Sequence, residues 1–177
     1  MTLLYIGIAL WCAAHLFKRV LPAARAGLTD RLGAGPAKGV VAAALLLSLV
    51  LMVLGYRGAE CSPVYTPMAG AGHLNNLLML VAVILLGAGS SKGRMRSWLR
   101  HPMLTGVIVW SGAHLLVNGD YASVVLFGAM AVWAVVEMTM INFAEDDWAR
   151  PEPGPAKGDI RLLVISAVVF SVIAGIH

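Results

Sequence analysis

Charged residues are scarce in this sequence: 12% of its 177 residues are Asp, Glu, Lys or Arg, whereas about 25% is usual for a soluble domain. Hydrophobic residues make up 59% of the chain, and the mean hydropathy is +0.82. A soluble domain of this size needs far more polar surface. The composition therefore excludes that class and indicates a polytopic membrane protein.

Cysteine is also scarce. Cys12 lies in an apolar run and Cys61 lies in a polar segment, so a disulfide between them is not expected. The first residues, MTLLYIGIALWCAAHLF, lack both a basic start and a small-residue cleavage site. They are therefore expected to form a retained membrane span rather than a cleaved signal peptide.

Long apolar runs, in contrast, are abundant. Runs of roughly 17–25 apolar residues can cross the hydrocarbon core of a bilayer as helices. The chain has six, at about residues 2–20, 39–56, 73–90, 103–118, 121–142 and 160–176. We therefore expect an all-α fold, a polytopic membrane helical bundle of about six transmembrane helices. Residues 1–177 are expected to form a single domain.

Basic residues are distributed unevenly over the five segments that connect these spans. Segments one, three and five hold twelve of the thirteen Lys and Arg residues, whereas segment two holds only Arg57 and segment four holds none. The positive-inside rule then places segments one, three and five in the cytoplasm and both termini on the opposite side of the membrane. These cations suit lipid headgroups, so the expected partner is the bilayer and not nucleic acid.

A six-residue pattern occurs twice, as WCAAHL at residues 11–16 and as WSGAHL at residues 110–115. The two copies lie three spans apart, so they cross the membrane in opposite directions. This is the mark of a 3+3 inverted repeat, and chance similarity in a chain rich in Ala and Leu is the alternative. In each copy the Trp and the His are four residues apart and share one helix face.

Each copy of the pattern places a histidine, His15 or His114, within an apolar span. Ionisable residues within spans are rare and indicate functional sites, and neutral imidazole is a good ligand for iron or copper. The pair predicts a metal or haem site, with Trp11 and Trp110 packing beside the cofactor. The alternative is a neutral histidine that bonds to a carbonyl within the bundle. Cys12 is expected to be a small buried hydrophobe.

A second candidate site lies where span four begins, at Arg100, His101 and Pro102. Pro suits the first position of a helix, and a helix N-terminus can bind an anionic group. The alternative is an interfacial anchor formed with the basic and aromatic residues that precede it. Glu137 in span five is expected to pair with Arg100 or His101, because an unpaired carboxylate in lipid is costly.

The segments RLGAGPAKGVVAAALLL and KGRMRSWLRHPMLTGVIVWSGAHLLVNGD resemble the NnrU family, and the likeness covers about residues 3–142. The resemblance implies a membrane protein linked to bacterial nitrite and nitric oxide reduction. It also implies kinship with plant zeta-carotene isomerase, a haem b enzyme that turns a cis double bond of a carotenoid. By that kinship His15 and His114 match the axial haem ligands, and Arg100, His101 and Pro102 match a shared motif. Ser111 stands where the isomerase has a cysteine.

The sequence leaves three functions open. The first is a haem b protein of denitrification that senses nitric oxide or redox state, or one that isomerises an apolar polyene entering from lipid. The second is a methyltransferase, because Arg-His-Pro resembles the isoprenylcysteine carboxyl methyltransferases; Arg100, His101 and Glu137 would then serve S-adenosylmethionine. The third is an assembly factor for a respiratory complex without a cofactor, in which His15 and His114 tolerate Asn or Gln.

Overall fold

The computed structural model describes residues 1–145 and 147–176, and every regular element in them is a helix. The α-helices are α1 (Thr2–Val20), α2 (Pro22–Leu32), α3 (Ala34–Arg57), α4 (Gly72–Ala88), α5 (Pro102–Val117), α6 (Tyr121–Ala144) and α7 (Ala156–Ile176). A single 3-10 turn covers Met95–Ser97. The expected all-α fold is confirmed.

All six predicted spans coincide with helices. Four of them, α1, α3, α6 and α7, are long and apolar enough to cross a membrane. Helices α4 and α5 are also apolar but have only 17 and 16 residues. At a rise of about 1.5 Å per residue they reach about 25 Å, less than the ~30 Å of a typical hydrocarbon core. The protein is therefore a helical membrane protein with four full-length candidate spans and two shorter apolar helices among its described residues.

The first basic segment contains a helix, α2, that the hydrophobic pattern does not indicate. It begins at Pro22, just after α1, and ends at Leu32; the residue that follows, Gly33, has a φ of 83°, which favours glycine. None of its residues is buried. Its few apolar residues do not form one face, so it lacks the stripe by which surface helices are predicted.

The helices form two compact units. The first comprises Met1–Val64 and Asp120–Ala129, and the second comprises Tyr65–Gly119 and Met130–His177. Helices α1, α2 and α3 and the start of α6 therefore belong to the first unit. Helices α4, α5 and α7 and the rest of α6 belong to the second. The predicted inverted repeat and the single domain stay predictions.

In the first unit, α1 packs against α3 through glycine. A Cβ atom at Gly7 would lie 2.7 Å from the backbone nitrogen of Met52, and a Cβ atom at Gly55 would overlap the backbone of Leu4. Leu4 itself is fully buried at this contact. Lipid gives apolar helices no hydrophobic reason to associate, so close backbone approach at small residues supplies the attraction.

In the second unit, Gly106 of α5 faces α4. A Cβ atom there would lie 3.1 Å from the carbonyl oxygen of Ala82, and both Ala82 and Ala113 are buried. Gly87 of α4 faces α7, where a Cβ atom would lie 2.8 Å from Cδ1 of Leu162. Glycine therefore lets a neighbouring helix approach closely at both positions.

The α1–α3 contact predicts unequal effects for two identical substitutions in α3. Gly55→Ala is expected to lower the free energy of unfolding by about 1–3 kcal/mol, because the added methyl group overlaps Leu4. Gly39→Ala is the matched control, since a Cβ atom there meets nothing within 4 Å. Gly39→Ala is expected to change stability by less than about 1 kcal/mol, in the stabilising direction. Thermal unfolding in detergent measures both, and equal effects would contradict the packing.

Candidate functional site

The two histidines within apolar helices share one local geometry. Nδ1 of His15 lies 3.0 Å from the carbonyl oxygen of Trp11, and Nδ1 of His114 lies 2.9 Å from that of Trp110. A carbonyl oxygen can only accept a hydrogen bond, so Nδ1 carries the proton in both rings. In the neutral form of each ring the lone pair is then on Nε2, the nitrogen that is suited to coordinate a metal.

Each imidazole also lies beside the indole ring of its own pattern. The ring centroids of Trp11 and His15 are 4.3 Å apart with an interplanar angle of 41°, and those of Trp110 and His114 are 5.0 Å apart at 56°. The spacing of four residues produces this contact, as expected for one helix face. Hydrogen bond and ring contact together restrict the rotation of each imidazole.

The end of α5 is fixed at His114. Asn118 donates hydrogen bonds from its backbone nitrogen and from Nδ2 to the carbonyl oxygen of His114, each 2.9 Å long. In the same unit the hydroxyl of Tyr65 lies within hydrogen-bond distance of the carbonyl oxygens of Leu115 and Asn118 and shares its one proton between them. The carbonyl of Leu115, which has no partner within α5, is thereby satisfied next to the histidine.

A small cavity of about 70 Å³ lies beside His114. It is bounded by polar residues of α4 and by apolar residues of α4 and α7, namely Asn75, Asn76, Met79, Phe170, Ile173 and Ala174. Oδ1 of Asn75 is buried without a hydrogen-bond partner in the described part of the chain. Such an acceptor favours a water or another small donor, and the volume admits only a few such molecules.

Ser111 lies one turn before His114 and is fully buried, and its Oγ has no hydrogen-bond partner among the described residues. A buried hydroxyl in that state costs free energy. It occupies the second position of its copy of the pattern, as Cys12 does in the other copy. Cys12 is a half-buried free thiol.

Arg100 and His101 connect the start of α5 to the end of α6. Nε2 of His101 lies 2.8 Å from Oδ1 of Asn142, and the guanidinium of Arg100 donates to the carbonyl oxygen of Glu145. The expected pairing of either residue with Glu137 is therefore wrong. Asn142 lies five residues beyond Glu137, which is about 7 Å further along α6. Arg100 and His101, which precede α5, therefore meet the end of α6 and not its middle.

The anchor interpretation of this region fits these contacts. Trp98 is 62% exposed just before α5, which suits a side chain at the membrane–water interface. Thr105 donates from Oγ1 to the carbonyl oxygen of His101, at 2.9 Å, and so closes the first turn of α5. The guanidinium of Arg100 and the imidazole of His101 thus both form hydrogen bonds within the protein.

A hydrogen-bond network around Asp120, which the sequence does not predict, lies at the start of α6. Oδ1 of Asp120 accepts the backbone N–H of Ser123 at 2.9 Å, and Oδ2 accepts its hydroxyl at 2.5 Å. Tyr56 of α3 in turn donates to Oγ of Ser123, at 2.9 Å. Asp120 is thereby the N-cap of α6. Partial burial acts to raise the pKa of Asp120, but the hydrogen bonds from Ser123 outweigh it and hold the pKa below its ordinary value.

A comparison of the chain with protein families gives a match over nearly its whole length. The family model described as NnrU protein matches residues 3–177. The chain belongs to the NnrU family. The match includes α7, whereas the sequence resemblance was expected to end near residue 142. No curated protein and no solved structure matches the chain.

In this NnrU protein the candidate residues form local groups. His15 and Trp11 contact each other in the first unit, and His114 and Trp110 do so in the second. Within the described residues, no group of three or more His, Cys, Asp or Glu side chains is placed to hold a metal ion. The sequence predicts an interfacial position for Asn75 at the start of span three, but it does not connect Asn75 or Asn118 with His114.

The Asp120 cap predicts a pH-dependent stability. The pKa of Asp120 is lower in the folded than in the unfolded protein, so its contribution is complete above the unfolded pKa of about 3.9. That contribution is lost as the pH falls through the folded pKa. Thermal unfolding of wild type and Asp120→Asn should therefore differ most at about pH 6 and least at about pH 3.

The control is Asp30→Asn, which removes a carboxylate from the exposed surface of α2. It should lower stability by no more than a few tenths of a kcal/mol at any pH, on the order expected for surface substitutions. An Asp120→Asn protein that loses as much stability on acidification as wild type would contradict the cap.

Proposed function

We propose that this NnrU protein binds haem b in the membrane through His15 and His114. The haem would serve nitrite and nitric oxide metabolism by sensing nitric oxide or redox state. The proposal is carried by one observation, the identical Nδ1–H bond from each histidine to the carbonyl of a Trp four residues earlier. Placement in the bacterial inner membrane, with the basic segments in the cytoplasm, belongs to the same proposal.

His15 and His114, with the carbonyl groups that hold them, fit the requirements of bis-histidine haem b. Bis-histidine haem requires two neutral imidazoles whose remaining N–H groups are held by acceptors, and the Trp11 and Trp110 carbonyls are such acceptors. Porphyrin supplies four nitrogen ligands itself, so the protein needs to add only axial ones. When bound, the haem would supply an iron that changes oxidation state, and nitric oxide would bind it only in place of one of the two histidines.

The side chains around each histidine have defined roles in this proposal. The indole rings of Trp11 and Trp110 limit the imidazoles to a narrow range of orientations. Asn118 fixes the last turn of α5, so that His114 does not fray with the helix end. The buried hydroxyl of Ser111 is a hydrogen-bond donor one turn away that no described protein group uses.

The cavity beside His114 favours a small ligand over a polyene. Its volume of about 70 Å³ suits water or a diatomic molecule, and its walls include Met79, Phe170 and Ile173. We prefer the nitric oxide function to carotenoid isomerisation because Ser111 stands where the isomerase has a cysteine. The methyltransferase function is not preferred, because Arg100 and His101 are engaged with α6.

Haem content tests the proposal directly. Wild type purified in mild detergent from haem-sufficient cells should contain haem b, with a Soret band and sharp α and β bands after reduction. His15→Ala and His114→Ala should each lower haem content by at least about ten-fold, because removing even an outer-shell partner of a metal ligand costs about 10–100-fold. Free imidazole added to either variant should restore part of the spectrum.

His73→Ala is the matched control, since His73 is exposed at the start of α4, and it should keep the wild-type haem content. Size-exclusion profiles and thermal unfolding of all three variants separate lost haem from lost folding. A wild-type protein that stays colourless after titration with haem would contradict the proposal. Full haem content in both His15→Ala and His114→Ala would contradict it equally.

A further inference from the structure

A larger cavity lies in the second unit, where α4 ends and α7 begins. Its volume is about 300 Å³. The walls combine two cations, two hydroxyl groups and apolar side chains, contributed by Lys92, Arg161, Ser90, Ser91, Leu162 and Ile165. Cationic and hydroxyl groups lie beside apolar ones, so the cavity is suited to an amphiphile rather than to water alone.

Glycine allows the two chain segments behind this cavity to approach closely. The backbone nitrogen of Gly154 donates to the carbonyl oxygen of Gly93 at 3.1 Å. A Cβ atom at Gly158 would lie 2.5 Å from the carbonyl carbon of Lys92, so any larger residue would separate the segments. Oδ1 of Asp159 accepts the backbone N–H of Met95 at 3.0 Å. These contacts hold the segment after α4 against the first turn of α7.

Among the residues that the structure describes, the side-chain cations of Lys92 and Arg161 have no hydrogen-bond or ion-pair partner. The nearest carboxylate in sequence, Asp159, bonds instead to the backbone of Met95. Two cations that line one space repel each other unless an anion lies between them. The start of α7 adds the positive end of a helix dipole on the same side.

We propose that this cavity binds a phosphate group, with Lys92 and Arg161 as its cationic partners and the hydroxyls of Ser90 and Ser91 as donors. Basic pockets between membrane helices bind phospholipid headgroups in this way. Leu162 and Ile165 would contact the acyl chains of an anionic phospholipid such as phosphatidylglycerol. A soluble phosphate would use the same cations without the apolar wall. The site is separate from the haem proposal.

Native mass spectrometry of the full chain in detergent tests this site. Phosphatidylglycerol, phosphatidylcholine and inorganic phosphate are the three probes. Lys92→Gln and Arg161→Gln should each weaken binding of phosphatidylglycerol by about five-fold, and the double variant by roughly twenty-fold. Lys157→Gln is the matched control, because Lys157 lies in the first turn of α7 but outside the cavity, and it should bind like wild type.

The three probes distinguish the sources of phosphate. Retention of phosphatidylglycerol over phosphatidylcholine, lost with Lys92 and Arg161 and unaffected by inorganic phosphate, supports a lipid site. Displacement of the lipid by inorganic phosphate at equal concentration supports the phosphate site but assigns it to a soluble ligand. Equal binding by wild type and the double variant would overturn the proposal. An equal loss in Lys157→Gln would also overturn it, because net charge would then explain the binding.

Discussion

The structure depends on one property of its surroundings, which is that hydrocarbon offers no hydrogen-bond partner. Every backbone polar group within a span must find a partner in the protein, so the apolar segments are helices. Helices in lipid then associate through close backbone contact at small residues, as at Gly7, Gly55 and Gly106. The same constraint applies to side chains, and His15 and His114 meet it with carbonyls of their own helices.

The hydrogen bonds from His15 and His114 to carbonyls of their own helices have a chemical consequence. A hydrogen bond from Nδ1 to a carbonyl satisfies the imidazole and at the same time fixes its tautomer, which puts the lone pair on Nε2. In the haem proposal these two histidines, which share one tautomer and each lie beside a Trp ring, would be the ligands.

The apolar helices and the local geometry of the histidines could be predicted from sequence, because both depend on residues close together in the chain. Six spans were expected and six helices lie there, and the Trp-His contacts follow from a spacing of four. Helix α2 was missed because its residues show no apolar face. The pairing of Glu137 was wrong because the bonding partners of Arg100 and His101 depend on how far α6 extends beyond α5.

The cap at Asp120 and the cavity between α4 and α7 could not be predicted either. Each requires segments that are distant in sequence, such as Tyr56 with Ser123 or Gly93 with Gly154, to meet at a particular level. Hydrophobic periodicity carries no information about such contacts. They arise from tertiary packing, which in this protein is governed by where glycine lets backbones touch.

Electron paramagnetic resonance of the oxidised, purified wild-type protein tests the central claim most directly, because it reports the axial ligands of ferric haem. Two imidazoles from His15 and His114 predict a low-spin signal that becomes high-spin when either histidine is replaced. A high-spin signal in wild type would show that fewer than two strong ligands are present. A protein that gives no signal from bound haem after titration with haem would contradict haem binding by His15 and His114.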